Sequence, residues 1–180
     1  MKGIVFNVLQ EFVEQNVSYI AWDNAISTLS LPSNGVYISA DNYNDEELFS
    51  LVGYFCEHLT LEPSVLVRQF GEFLFASLIE MAPAEAQNAT DLRTFLNMVE
   101  HLIHVEVLKL YHDANLPSFD YPKANDNELI MIYRSPRKLC FLSEGLILSA
   151  AKHFKEQVKV TQSQCMHQGA DCCQIHVEFL

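Results

Sequence analysis

The apolar residues of this 180-residue chain keep a period near 3.6 as far as Leu110 and change to a period of 2 from Leu129 onward. Such a split constrains the fold, because a helix buries one stripe and a strand one alternate face, and both must find a core. Ile4, Val5, Val8, Leu9, Phe12 and Val13 share one face of residues 3–16, and Trp22, Ile26 and Leu29 mark a second, shorter helix. Leu31-Pro32-Ser33-Asn34-Gly35 breaks it, and Val36-Tyr37-Ile38 reads as an extended connector. From Asp45 the spacing of Leu48, Leu51, Val52, Phe55 and Leu59 restores helix. Pro63 suits the first turn of the next, which runs on to Ile79, because a first-turn residue needs no backbone donor. Residues 81–88 read as an alanine-rich loop, and Thr90 or Asp91 as the cap of a long helix carrying Leu92, Phe95, Leu96, Val99, Leu102, Ile103, Val107 and Leu110.

Residues 113–127, with Pro117 and Pro122, form a connector. Beyond it the pattern predicts strands over 129–133 and 139–142, a helix over 143–154 in which Gly145 signals close packing, and strands over 158–160 and 173–179. On the last of these Ile175, Val177 and Phe179 share a face. The expected architecture is α+β: a helical N-terminal region followed by a C-terminal antiparallel sheet with a helix, within a single domain over residues 1–180.

Composition narrows the function. A hydrophobic content of 49% supports a substantial core and excludes disorder. Eleven Lys+Arg against 23 Asp+Glu give a net charge of -12, which disfavours nonspecific binding to nucleic acid or an anionic membrane. Polar Asn7, Gln10, Glu11 and Glu14 interrupt the first apolar run before it can serve as a signal peptide, so a cytoplasmic location is expected. Five cysteines in a reducing compartment point to metal ligands or buried thiols, not to disulfides.

Two groups of residues carry chemistry. Tyr133, Ser135 and Arg137 alternate at a strand end, so period 2 aims two hydroxyls and a guanidinium at one spot, suited to a carboxylate or phosphate, provided Pro136 does not twist them out of line. The bland alternative is a polar strand edge in solvent. His104 lies beside the apolar seam of the long helix, where imidazole serves as a metal ligand or sits at the solvent boundary, and His101 one turn away offers a rival metal pair without further donors. No nucleophile and base are arranged for catalysis.

Taken together, His104, Pro117 thirteen residues on, and Tyr133-x-Ser135-x-Arg137 resemble the H-NOX family of haem nitric oxide/oxygen binding domains, in that family's order and spacing and over essentially the whole chain. The resemblance implies a bacterial, stand-alone gas sensor without enzymatic activity, with haem b held between a helical subregion of about residues 1–60 and a haem-enclosing region of about 61–180. It assigns His104 as the proximal iron ligand, Tyr133, Ser135 and Arg137 as anchors of the haem propionates, and Pro117 as the residue pressing on the porphyrin face. Val5, Leu9, Leu74, Leu78 and Leu146 are the expected apolar wall. Nitric oxide would weaken the iron–histidine bond and alter a surface presented to a partner, such as a histidine kinase or a cyclic-di-nucleotide enzyme. Family members that hold oxygen stably use a distal donor, typically tyrosine, a few residues after the propionate motif. Here Leu142 stands at that place and has no proton to donate, so nitric oxide and carbon monoxide are the expected ligands.

The C-terminal thiols suggest a separate reading. Cys140, Cys165, His167 and Cys173, with Cys172 as a substitute, offer thiolate and imidazole donors suited to tetrahedral zinc, as in some bacterial members of the family. A zinc or thiol-redox interaction module is therefore the alternative function, and small buried thiols with an exposed His167 are the purely structural one.

Overall fold

The computed structural model describes residues 1–122 and 125–180; Lys123 and Ala124, within the expected connector, lie outside the described residues. Helices α1 (Gly3–Asn16), α2 (Tyr19–Thr28), α3 (Asp45–Leu59) and α4 (Pro63–Met81) build the N-terminal region. Capping chemistry sets their ends. The Ser18 hydroxyl accepts the Ala21 N–H, the Asn44 side chain accepts the Glu46 N–H, and Asp45, Glu46 and Glu47 place negative charge on the first turn of α3, where the helix dipole favours it. Pro63 opens α4 as the sequence predicts. The stripes of α1 to α4 meet in one core that includes Phe6, Leu9, Trp22, Leu51, Phe55 and Leu74.

Past α4 the structure departs from the sequence reading in four places. The loop over 81–88 contains a short helix, α5 (Ala84–Gln87), with Pro83 as its cap. The long helix from Leu92 to Leu110 is continuous but not uniform: α6 (Leu92–Met98), capped by Asp91 through the Thr94 N–H, passes into a π-helical segment, Val99–Ile103, and then into α7 (His104–Leu110). A wider π turn inserts one residue and changes the facing of everything after it, an effect invisible to a fixed period. The connector over 113–127 holds a three-residue strand, β1 (Ser118–Asp120), paired with β2 (Glu128–Arg134). The strand predicted over 139–142 does not form, because α8 (Cys140–His153) begins there. Short apolar runs carry no period, so only packing decides between the two states.

Strands β3 (Val158–Gln164) and β4 (Cys173–Phe179) complete an antiparallel sheet of order β1-β2-β4-β3. Leu129, Met131 and Tyr133 alternate inward on β2, opposite Val177, Ile175 and Cys173 on β4. Phe179 keeps the expected alternation, packing half-buried against the same core as Ile175 and Val177 with the Arg93 guanidinium over its ring. This face joins Ile147, Ala150 and Ala151 of α8, and Phe75, Leu92, Phe95 and Leu96, in a second core, while Leu146 touches both cores.

The cores are tied where α4 crosses α8. Gly71 and Gly145 face each other there, and a Cβ on Gly145 would overlap the Arg68 carbonyl and press on Gly71, so the predicted close packing at Gly145 is a helix–helix contact. Beside it the buried Glu144 carboxylate accepts Arg68 Nε at 2.7 Å and Gln162 Nε2 at 2.6 Å. Gly145→Ala should therefore lower stability by about 1–3 kcal/mol or more through overpacking. The exposed Gly53 of α3 has open space at its Cβ position, and Gly53→Ala should raise stability by about 0.5–1 kcal/mol. Urea unfolding of the two variants checks both signs.

Candidate functional site

The continuous helix over residues 92–110 delivers His104 as the first residue beyond the π segment. Its ring is mostly buried, tilts against Phe119 at 5.9 Å between centroids, and directs Nδ1 to the Glu100 carboxylate at 3.1 Å. Burial pushes the imidazole pKa below its ordinary value, against the raising effect of Glu100. The ring is therefore neutral at neutral pH, the form in which its second nitrogen binds a metal. His101, exposed, tilts against Tyr121 at 5.9 Å between centroids, whereas His104 tilts against Phe119. Tyr121 in turn donates its hydroxyl to the Leu96 carbonyl of α6 at 2.7 Å, and burial raises its pKa.

Tyr133 and Ser135 are buried at the end of β2, but Arg137 lies past it, in the turn between β2 and α8. The three do not share one strand face, because the chain turns at Pro136 and Arg137, and Lys138 takes a left-handed conformation with φ 53°. The turn nevertheless gathers them. The Tyr133 oxygen accepts the Leu139 N–H at 2.9 Å, Ser135 Oγ accepts the Arg137 N–H at 3.3 Å, and the Ser135 hydroxyl also bonds the Tyr133 phenol, which leaves the phenol hydrogen for an incoming acceptor. Burial, against weaker lowering effects of the Ser135 hydroxyl and the Leu139 N–H, holds the Tyr133 phenol above its ordinary pKa and keeps it protonated.

Arg137 is nearly buried. Its Nε donates to Asp45 at 2.7 Å, and another guanidinium nitrogen donates to the Asn115 carbonyl. The other Asp45 oxygen takes the Met1 amine at 2.7 Å. Burial works against the Asp45 charge, yet Arg137 and the amine outweigh it and hold this carboxyl below its ordinary value. Asp45 escapes a sequence reading because an acid on the first turn of a helix is already explained by the dipole. Glu100 leaves a better trace, since its spacing of four residues from His104 on a helix is legible, although its partnership with Phe119 is not.

The remaining wall residues divide. Leu9 and Leu74 are buried in the first core; Val5, Leu78, Leu142 and Leu146 are half-buried at its edge, and Pro117 is half-buried just before β1. None of residues 99–110 is buried, although Val99, Leu102, Ile103 and Val107 are apolar, and α7 packs extensively against nothing but the π segment before it. A half-buried apolar helix stripe at the edge of the second core with an imidazole on it, and an arginine and two hydroxyls gathered at the turn after β2, fit a flat apolar macrocycle carrying a metal and two carboxylates.

Elsewhere, three of the four expected zinc ligands converge. Cys165 Sγ lies 3.7 Å from Cys140 Sγ and 3.8 Å from Cys173 Sγ, all buried, and burial raises the pKa of Cys140 and Cys173. His167 stands apart from them: exposed and stacked on Phe141, it bonds the Lys138 carbonyl through Nε2 at 2.7 Å. Cys172 is half-buried and accepts a bond from Gln164. The structural reason is the 3₁₀ turn Met166–Gln168, which swings residue 167 outward from the pair that brackets it.

A family model described as Haem-NO-binding matches residues 2–162. Among solved structures, an H-NOX protein from S. oneidensis in the Fe(II)NO ligation state is 35% identical, with a TM-score of 0.93 over 100% of this chain and 99% of that one. An H-NOX protein from K. algicida in the Fe(II) unliganded state is 27% identical at a TM-score of 0.92, over 100% and 97% of the two chains. The IWP-051-bound H-NOX from Shewanella woodyi, in the Fe(II)CO state, is 32% identical at 0.84, over 99% and 94%. No curated protein matches the sequence.

The Arg137–Asp45 pair can be tested directly. A carboxyl held below its unfolded value contributes stability above that value and loses it as pH falls. Asp45→Asn should therefore destabilise the protein by about 1.5–3 kcal/mol at neutral pH. The difference from wild type should close as pH drops below the ordinary aspartate value of 3.8, which denaturation midpoints measured across pH would reveal.

Proposed function

The chain belongs to the Haem-NO-binding, or H-NOX, family of haem-based gas sensors, and on that premise we propose that it binds haem b and reports nitric oxide to a partner signalling protein. The observation that carries this reading is the neutral His104 on a half-buried helix stripe at the edge of the second core, with Tyr133, Ser135 and Arg137 gathered at one turn. His104 would ligate the iron through Nε2, Arg137 would share its guanidinium between Asp45 and a propionate, and Tyr133 and Ser135 would offer their paired hydroxyls to the propionates. Pro117, Val5, Leu9, Leu74, Leu78, Leu142 and Leu146 would form the apolar surroundings. Ferrous haem held by these residues would supply a site for diatomic gases, and nitric oxide would act through the hold of His104 on the iron.

Leu142 supports nitric oxide and carbon monoxide over oxygen as ligands. It is half-buried in the edge of the first core and offers only methyl groups. The tyrosines are committed elsewhere or turned outward. Tyr37 donates to Glu47, Tyr43 accepts the Ile38 N–H, and Tyr121 and Tyr133 are engaged as described. Tyr54 stacks on His58, Tyr19 is exposed, and Tyr111 lies beneath Lys2.

The output would be a binding surface, since no residues are arranged for catalysis. A net charge of -12 favours a partner with a basic patch, and a histidine kinase or cyclic-di-nucleotide enzyme in the cytoplasm is the proposed class. No described helix is long and apolar enough to cross a membrane. The converging thiols of Cys140, Cys165 and Cys173 favour a zinc ion as an adjunct; His167 would complete it only by leaving the Lys138 carbonyl, with Cys172 the other donor in that turn. A zinc or thiol-redox module as the main function has less support, because it gives no role to the residues around His104.

Purified protein should carry an intense visible haem band, and His104→Gly should hold haem only when imidazole is supplied. Arg137→Ala should weaken haem retention tenfold or more, on the order of 1.5–3 kcal/mol for a charge-assisted bond. In air the ferrous protein should form no lasting oxygen complex, whereas Leu142→Tyr should gain oxygen affinity. A colourless wild-type protein would sink the haem reading. Elemental analysis of the reduced protein, purified without chelator, tests zinc, and finding none would remove it.

A further inference from the structure

One oxygen of the Glu100 carboxylate does two things. Oε2 accepts His104 Nδ1–H at 3.1 Å and the Phe119 backbone N–H at 3.0 Å. Phe119 is the second residue after Pro117 and the central residue of β1, where it pairs with Tyr133. A single carboxylate therefore joins the imidazole, the segment that carries Pro117, and the sheet edge that carries the Tyr133 cluster. The last turn of α6, just before the π segment, is tied to the flank of the same strand, because the Tyr121 hydroxyl donates to the Leu96 carbonyl. Glu100 and His104 are thus held by two contacts to one strand and its flank.

Resting on the haem reading above, we propose that Glu100 is the positioning residue for His104 and sets the strength of its bond to iron. With Nδ1–H committed to the carboxylate, the ring is fixed as the tautomer whose Nε2 carries the lone pair. Donation to an anion also pushes electron density onto that nitrogen, making it a stronger donor to the metal. Nitric oxide must then overcome a reinforced bond before His104 is released, and the residue that reinforces it also touches the strand beside Pro117. Release of His104 would free the Glu100 bond to Phe119 to readjust, which gives ligand state a direct path to β1.

The test uses haem-loaded protein. Glu100→Gln keeps an acceptor for the Phe119 N–H but removes the charge; Glu100→Ala removes both. The iron–histidine stretching frequency of the ferrous protein, read by resonance Raman, should fall in Glu100→Gln and further in Glu100→Ala. The nitric oxide complex should lose its histidine faster in the same order. A second measurement does not depend on the tethered ring: in His104→Gly, imidazole can donate a proton to Glu100 and 1-methylimidazole cannot. Adding Glu100→Ala should cut the preference for imidazole over 1-methylimidazole by about tenfold, the scale on which such outer partners alter metal affinity. An unchanged frequency and an unchanged preference in haem-loaded variants would overturn this inference alone. A wild-type protein without haem would overturn the reading beneath it as well.

Discussion

The rest of the structure hangs on the contact between α4 and α8, where two glycines let two backbones meet. Gly71 and Gly145 have no side chains to hold the helices apart, and a Cβ on either would strike the other helix. That contact fuses a purely helical core with a core of helix on sheet. Leu74 and Phe75, adjacent on α4, fall in different cores, so one helix is shared between them. The helix that bears His104 joins the second core through Leu92, Phe95 and Leu96, and beyond them its apolar stripe of Val99, Leu102 and Ile103 is only half-covered at that core's edge.

Polar groups at this seam are arranged so that each has a partner and retains capacity for another. Arg137, nearly buried, would be costly to leave unpaired, and Asp45 with the Asn115 carbonyl satisfies it. A guanidinium has five donors in a fixed fork, so a further carboxylate can be taken without giving up the first. Glu100 follows the same economy of groups on the other side, where one oxygen serves a side chain and a backbone donor. Electrostatic ties of this kind join α3 to the turn after β2, and the π segment to β1. They join elements that are separated along the chain.

Much of this was legible in the residues. Periodicity located α1 to α4 and the strands β2 and β4, Pro63 and Asp91 marked helix starts, and the isolated Gly145 pointed to close packing. The order of His104, Pro117, Tyr133, Ser135 and Arg137 led to the family. The failures share a cause. A π turn at Val99–Ile103, a strand of three residues at Ser118–Asp120 and a helix beginning at Cys140 in place of a strand are decided by hydrogen bonds and packing partners, not by a local repeat.

What the sequence by itself determined is the set of elements whose length lets periodicity exceed noise, the chemistry of the residues at the site, and the family they belong to. Tertiary structure alone decided which groups meet. Arg137 reaches Asp45 across 92 positions of chain, and Phe119 reaches Glu100 across 19. It also brought Cys140, Cys165 and Cys173 together and turned His167 outward. The physical reason is that hydrophobic period is a property of neighbours along the chain, whereas a hydrogen bond to a buried charge requires a partner at one distance and angle, which only the closed fold can supply.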